Sequence, residues 1–361
     1  MLEDNNIRNI FKTSKELIEE AYYQIQKYQK KEFIPAKTGY SYLDEAMMGG
    51  AFPQNAIAIG ARPGVGKSYV GQIITGNLLN PLINPQASDY LLVNCEFEMN
   101  PMDLVTRVLS RKMGKPIRHF YDTPTSVEET KIKEILEQEK RNNIVYIPKP
   151  CSVADFNRAM IHILSKNSKK KLIIVKIDHI ALIKKMGGDP KRAMDDFVAT
   201  INELKLAYWN VFFLVISQFN RDIEGRRSPK EHAPRMSDFY QSDELGQLCS
   251  IMVGLTNPRR MGYEEYMSFP ATWYGNLDRF KPANKKTTFR TEGLLFHHIL
   301  KARQEGIESL ENTIYPEVMP GFGYLYGEGG VRYINTERPP QEPRSYTLEE
   351  NDEEFDDSPY D

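Results

Sequence analysis

Three cysteines, two tryptophans and no long apolar run set the first limits on this chain of 361 residues. Cys95, Cys151 and Cys249 are odd in number and lack the spacing of zinc ligands. That pattern argues against a disulfide scaffold or a structural zinc site, and places the thiols in a reducing compartment. No apolar stretch approaches the roughly 18 residues of a membrane span. The polar, acidic start Met-Leu-Glu-Asp-Asn-Asn is no secretory signal. The expectation is a cytoplasmic protein without a membrane partner. There are no internal repeats, which excludes a solenoid. A strong charge of one sign is also missing, since the formal net charge is −2. That balance hides an asymmetry. Residues 349–361 carry eight acidic side chains and no basic one, which leaves the rest of the chain at +6. A mildly basic body with an acidic tail suits nucleic acid on the body and a different partner on the tail.

What is present is an alternation of strand-like and helix-like runs from about Thr38 to Ile334. Apolar runs predict strands at Ala56–Gly60, Tyr90–Asn94, Ile144–Ile147, Leu172–Ile177, Val211–Ile216, Ile251–Leu255 and Leu294–Leu300. Ser126 with Glu129, and Ser152 with Asp155, predict two helix starts. Met194, Phe197, Val198, Ile201 and Leu204 share one face of a third helix. The fold class is therefore α/β, with a central, mostly parallel sheet, helices on both faces and ligands at the carboxyl ends of the strands. Residues 5–30 read as one amphipathic helix in front of this domain. The division expected is an amino-terminal helix at 1–32, an ATPase domain at 33–336 and a disordered acidic tail at 337–361.

The segment Gly60-Ala61-Arg62-Pro63-Gly64-Val65-Gly66-Lys67-Ser68 lies between a predicted strand and a predicted helix, the setting of a phosphate-binding P-loop. Gly64 and Gly66 let successive backbone N–H groups turn inward, and the helix amino terminus adds its positive end. Lys67 then reaches the β and γ phosphates of ATP, and the Ser68 hydroxyl can ligate Mg²⁺. Asp178 emerges from an apolar strand further on, as a Mg²⁺-organising carboxylate does in such enzymes. Glu96 and Glu98 both follow the strand at Tyr90, and either could activate the attacking water. Gln218 ends another strand, where an amide can sense the γ-phosphate and switch the loop behind it. That loop holds Arg226, Arg227, Lys230 and Arg235, which suit contacts to a phosphate backbone.

Taken in order, Ala61 to Ser68, Glu98-Met99, Ile177-Asp178 and Ser217 to Arg221 resemble the RecA-like motor domain of DnaB-type replicative helicases. The Ala-Arg-Pro start of the P-loop is part of that resemblance and accounts for Ala61, where the general pattern has glycine. The family's Leu-Glu-Met context matches Phe97-Glu98-Met99 and favours Glu98 as the base. It also implies a phosphate contact for Arg107. Lys301-Ala302-Arg303 ends a late strand and resembles the family's Lys-x-Arg element, which completes the nucleotide site of a neighbouring subunit. The resemblance covers about residues 34–334. It implies ATP and Mg²⁺ as cofactors, single-stranded or forked DNA as partner, a homo-oligomer of hexameric type, and unwinding as the activity.

Two departures narrow the implication. The family's amino-terminal helical domain has no counterpart, and the 5–30 helix resembles only its linker helix. Tyr240 stands where the family has an arginine associated with DNA, so stacking on a base replaces a phosphate contact there. Residues 272–293 read as an enlarged basic and aromatic loop. The small size and acidic tail suggest a phage or mobile-element version acting in the bacterial cytoplasm, with a replication partner on the tail. Two other readings keep the chemistry and give it a different purpose. One is a RecA/RadA-like recombinase, and the other is a DnaB-derived regulatory or loading ATPase.

Overall fold

The computed structural model describes residues 13–140, 142–180, 190–226, 232–239, 242–263, 265–270, 286–290, 294–303, 314–318 and 345–346. The DNA contacts expected at Arg227, Lys230 and Tyr240 lie outside them. All seven predicted strands form, several with one or two more residues: β1 Asn55–Ala61, β2 Tyr90–Glu96, β3 Ile144–Ile147, β4 Leu172–Asp178, β5 Val211–Gln218, β6 Ile251–Thr256 and β9 Leu294–Ala302. Four strands were not expected: β7 Glu265–Pro270, β8 Lys286–Arg290, β10 Ile314–Val318 and β11 Ser345–Tyr346. β8 lies within the stretch read as a loop, and β11 within the stretch read as a disordered tail. Both escaped notice because neither carries an apolar run.

Eight strands form one sheet in the order β10-β9-β6-β1-β5-β4-β2-β3, while β11, β8 and β7 make a separate antiparallel sheet. The six strands from β6 to β3 are parallel, and β9 and β10 extend one edge antiparallel. Every residue of β1, β2, β4 and β6 is buried, as strands covered on both faces must be. On one face Ile57, Ile59, Leu92, Ile174 and Ile216 pack with Val70, Ile74 and Leu78 of helix α3, Lys67–Leu78. On the other, Ile173, Val175, Ile177 and Phe213 meet helices α6, Val153–Lys166, and α7, Pro190–Ala207. All five residues of the predicted α7 stripe are buried there. Phe197 stands edge-on to Phe156 at a centroid distance of 4.8 Å. Truncating such a ring costs about 3–5 kcal/mol through lost transfer energy and the cavity left behind.

Helix α1 spans Ser14–Gln29, so the single helix read over 5–30 does not run unbroken, and residues 5–12 lie outside the described ones. Thr13 is extended rather than helical and forms a reciprocal capping box with Glu16, which fixes the start of this helix. None of its residues is buried, and Leu17, Ile18, Tyr22, Tyr23 and Ile25 are exposed. Helices α2, Ser41–Ala46, and α4, Pro101–Met113, follow. Helix α5, Ser126–Lys140, starts one residue earlier in its cap than expected: Thr125 and Glu128 exchange the hydrogen bonds assigned to Ser126 and Glu129. Ser152 caps α6 as predicted, accepting from the Asp155 N–H at 3.1 Å. The last described helix, α8, is Ser242–Leu248. No described helix is long and apolar enough to cross a membrane.

Candidate active site

Parallel pairing brings the sequence motifs to one edge of the sheet. Ala61 sits opposite Gln218, and Asp178 pairs with Ile216 on one side and Glu96 on the other. Between β1 and α3 the chain turns through Gly64 and Gly66, at φ 74° and 117°. These values lie in the left-handed region, which a side chain would strain. Gly66 caps α3, so Lys67 and Ser68 occupy its first turn. Gly64 is also tight for a second reason: a Cβ there would collide with the Arg260 guanidinium. Arg260 belongs to a short turn after β6, Pro258–Met261, and sequence reasoning missed it.

Around the loop the carboxylates divide into two kinds. Glu98 is half exposed and lies 3.8 Å from the buried Lys67 ammonium, in reach of the phosphate end of the cradle. Glu96 is fully buried and pairs with Lys176, which also lies 3.5 Å from Asp178. Burial pushes the Glu96 carboxyl up, while the Lys176 charge opposes the rise. This division separates the two glutamates that spacing alone left equivalent. Both oxygens of Asp178 are buried without a hydrogen-bond partner among the described residues. A buried carboxylate left open in this way costs free energy unless something binds it. With the Ser68 hydroxyl it forms an oxygen donor set that fits Mg²⁺.

Gln218 does not stand alone. Its Oε1 lies 2.9 Å from His179 Nε2, on the residue after Asp178. Burial, then the Lys67 charge, lowers the His179 pKa, which favours a neutral ring that donates through Nε2 to the amide oxygen. The amide nitrogen of Gln218 is then the donor left for a ligand. Behind Gln218 both ends of the loop are pinned. Phe219 and Phe239 bridge and stack edge-on at 5.0 Å, in space that Gly60 provides by having no side chain. Arg62 ties the same loop to the P-loop by donating to the Phe219 carbonyl and the Glu224 carboxylate, each at 2.7 Å.

A cavity of about 720 Å³ opens beside the P-loop, lined by Arg62, Val65, Phe219, Glu224, Asn257, Arg260 and Tyr263 among others. Arg107 is half buried on α4, the helix that follows Glu98. Two expected DNA contacts divide. Arg235 is exposed, but Arg226 is a correction: it forks onto the Asp238 carboxylate and the Ala233 carbonyl, so it braces the loop from within.

Lys301 and Arg303 lie elsewhere. β9 runs antiparallel to β6 and pairs Ala302 with Ile251, the first residue of β6. The pair therefore sits at the opposite edge of the sheet from the P-loop, roughly 17 Å away along β6 alone. Arg303 is exposed and donates to the Gln247 carbonyl at 3.2 Å. Lys301 differs from the expectation of a projecting cation. Its ammonium is buried and donates to the carbonyls of Gly246 and Cys249, at the end of α8. Open helix carbonyls attract a cation in this way.

This arrangement has known counterparts. The family model of the DnaB-like helicase C terminal domain matches residues 36–268, well over half of the chain. The chain belongs to the DnaB-like helicase family. Its fold is that of the solved ATPase domain of a phage helicase, with 18% identity, a TM-score of 0.61, and 81% of this chain and 92% of that one covered. A DnaB-like replicative helicase solved for its interactions with primase gives 18% identity and a TM-score of 0.59, covering 81% of this chain and 62% of that one. No curated protein sequence matches. The RecA-like architecture expected for a DnaB-like motor is thus the one observed.

Proposed function

We propose that this DnaB-like chain is an ATP-driven DNA helicase that works as a ring, with each nucleotide held by one subunit and completed by the next. The observation that carries the reading is the separation within one chain of two half-sites. Lys67, Glu98, Asp178 and Gln218 meet at the carboxyl edge of the sheet, while Arg303 projects from the opposite edge. One chain cannot bring both halves to one phosphate.

In this reading the backbone of Gly64 to Ser68 and the Lys67 ammonium bind the triphosphate, and the cavity by Arg260 receives the base. Mg²⁺, held by Ser68 and Asp178, would neutralise charge on the phosphates. Glu98 takes the proton of the attacking water, and Arg107 contacts phosphate. Gln218, oriented by His179, reads the γ-phosphate and passes its loss to the loop pinned at Phe219 and Phe239. Arg303 of the neighbouring subunit stabilises the transition-state charge, a contribution of about 10³–10⁵ in rate where it has been measured in other NTPases. Lys301 holds that arginine's strand to α8. Single-stranded DNA passes the loop behind Gln218, with Arg235, Arg227, Lys230 and Tyr240 as contacts. The exposed stripe of α1 packs on a second copy. The domain division at 1–32, 33–336 and 337–361, a cytoplasmic location and a tail partner belong to the same reading.

Unwinding of a forked duplex by the purified chain, with ATP and Mg²⁺, tests it. Strand displacement by rings supports the helicase. Filaments that exchange strands would point to a recombinase, and hydrolysis without displacement to a loading or regulatory ATPase.

A further inference from the structure

Lys176 is a charge inside an otherwise apolar strand. Its neighbours along β4, from Leu172 to Ile177, are buried hydrophobics, and Lys176 is itself fully buried. Alternation puts it on the face covered by α3, in line with Ile174 and Asp178. Gly71 of α3 makes room for its stem: a Cβ at Gly71 would stand 3.3 Å from Lys176 Cε. The ammonium lies between Glu96 at the end of β2 and Asp178 at the end of β4. Placing a lysine here is costly unless its charge is matched, and Glu96 matches it within the sheet. The three groups together carry one negative charge, as Asp178 would alone. One oxygen of Glu96 and both of Asp178 still lack hydrogen-bond partners among the described residues.

We propose that Lys176 and Glu96 are positioning residues, a mutually neutralising pair that steadies the Asp178 carboxylate and sets how tightly the site takes a divalent cation. The inference rests on the Mg·nucleotide reading of Asp178. With Glu96 ionised beside it, Lys176 is held off Asp178, and the aspartate keeps its charge for the cation. Without the Glu96 charge, Lys176 turns wholly onto Asp178 and competes with the cation at a separation of 3.5 Å or less. Removing both charges returns Asp178 to its original balance.

The test is the Mg²⁺ concentration at half-saturation for binding a fluorescent non-hydrolysable ATP analogue to the full chain, compared among wild type, Glu96→Gln, Lys176→Met and the double variant. Glu96→Gln should raise the midpoint about tenfold or more, given one unit charge unmasked at contact distance. The double variant should return to within about twofold of wild type. An unmoved midpoint in Glu96→Gln, or a double variant no better than that single, overturns the proposal. So does a set of variants that melt earlier yet keep the wild-type midpoint, since that is what a purely structural pair would give. If Glu96→Gln does not fold, the double variant decides: a midpoint near wild type supports the pair, and a tenfold shift sinks it. Wild-type protein that binds no Mg·nucleotide would remove this inference together with the reading beneath it, a distinguishable result.

Discussion

Two buried polar clusters in this protein look alike by exposure and differ in every other respect. On β9, His297 and His298 are buried side by side, and each meets a tyrosine hydroxyl, His297 that of Tyr42 and His298 that of Tyr266. At the carboxyl edge of the parallel strands, Glu96, Lys176 and Asp178 are equally buried but charged, with carboxylate oxygens left open. Burial pushes both imidazoles down to about 3, so the first cluster is neutral and does not titrate in the physiological range. A neutral cluster can be closed by hydroxyls. A charged one needs countercharge or a ligand, and the open oxygens say which places still await one. Buried polarity alone therefore does not mark a site, whereas buried charge with unfilled acceptors does.

The sharpest way to break this comparison is Lys67→Ala. It removes the cation of the phosphate cradle, and ATP turnover should fall at least about 10³-fold, as loss of a main electrostatic contact does. Melting followed by circular dichroism would show that the fold survives. Arg303→Ala should lower turnover by about 10³-fold in the assembled protein. Because Arg303 sits at the opposite edge, mixing this variant with Lys67→Ala should restore some activity through hybrid interfaces, whereas an arginine acting within its own chain would give none. Both results concern the charged edge and should leave the histidine cluster untouched.

The histidine cluster makes its own prediction, in stability and not in rate. The folded pKa values lie below the ordinary 6.5 of the unfolded chain, so unfolding takes up protons at acid pH. The stability tied to the neutral rings is complete above about pH 6.5 and is lost as pH falls toward 3, at up to about 1.4 kcal/mol per pH unit for each ring. Melting temperatures between pH 7.5 and 5 should therefore fall more steeply for wild type than for a His298→Leu/Tyr266→Phe double variant. The smallest effect is expected at Ser152→Ala. Loss of the α6 cap, on the far face of the sheet from Lys67, should cost about 1 kcal/mol in a denaturant titration and leave turnover unchanged.

The linear order of residues made some of this legible and hid the rest for definite reasons. The P-loop could be read because its function depends on local backbone geometry, and Gly64 and Gly66 are neighbours. The seven apolar strands could be read because covering on both faces demands uninterrupted hydrophobic runs. β7, β8 and β10 could not, since they rest on pairing rather than on such runs. Arg260 gave no signal because its meeting with Gly64 depends on how β6 lies beside β1. Lys176 did give one, a charge within an apolar run, but its meaning required knowing that β2 pairs with β4. The start of α1 was missed because apolar spacing continues across Thr13, a residue that sets the helix boundary by hydrogen bonding.

Local chemistry in the chain thus fixed the identity of the phosphate cradle, the strand count of the parallel core and the choice of Asp178, because each depends on residues adjacent in sequence or on a repeating pattern. Tertiary structure alone decided which glutamate faces Lys67 and which is sealed against Lys176, and that Arg303 stands at the far edge from its own chain's nucleotide cradle. Those choices turn on strand register and strand direction, and both are properties of segments that meet only when the sheet assembles.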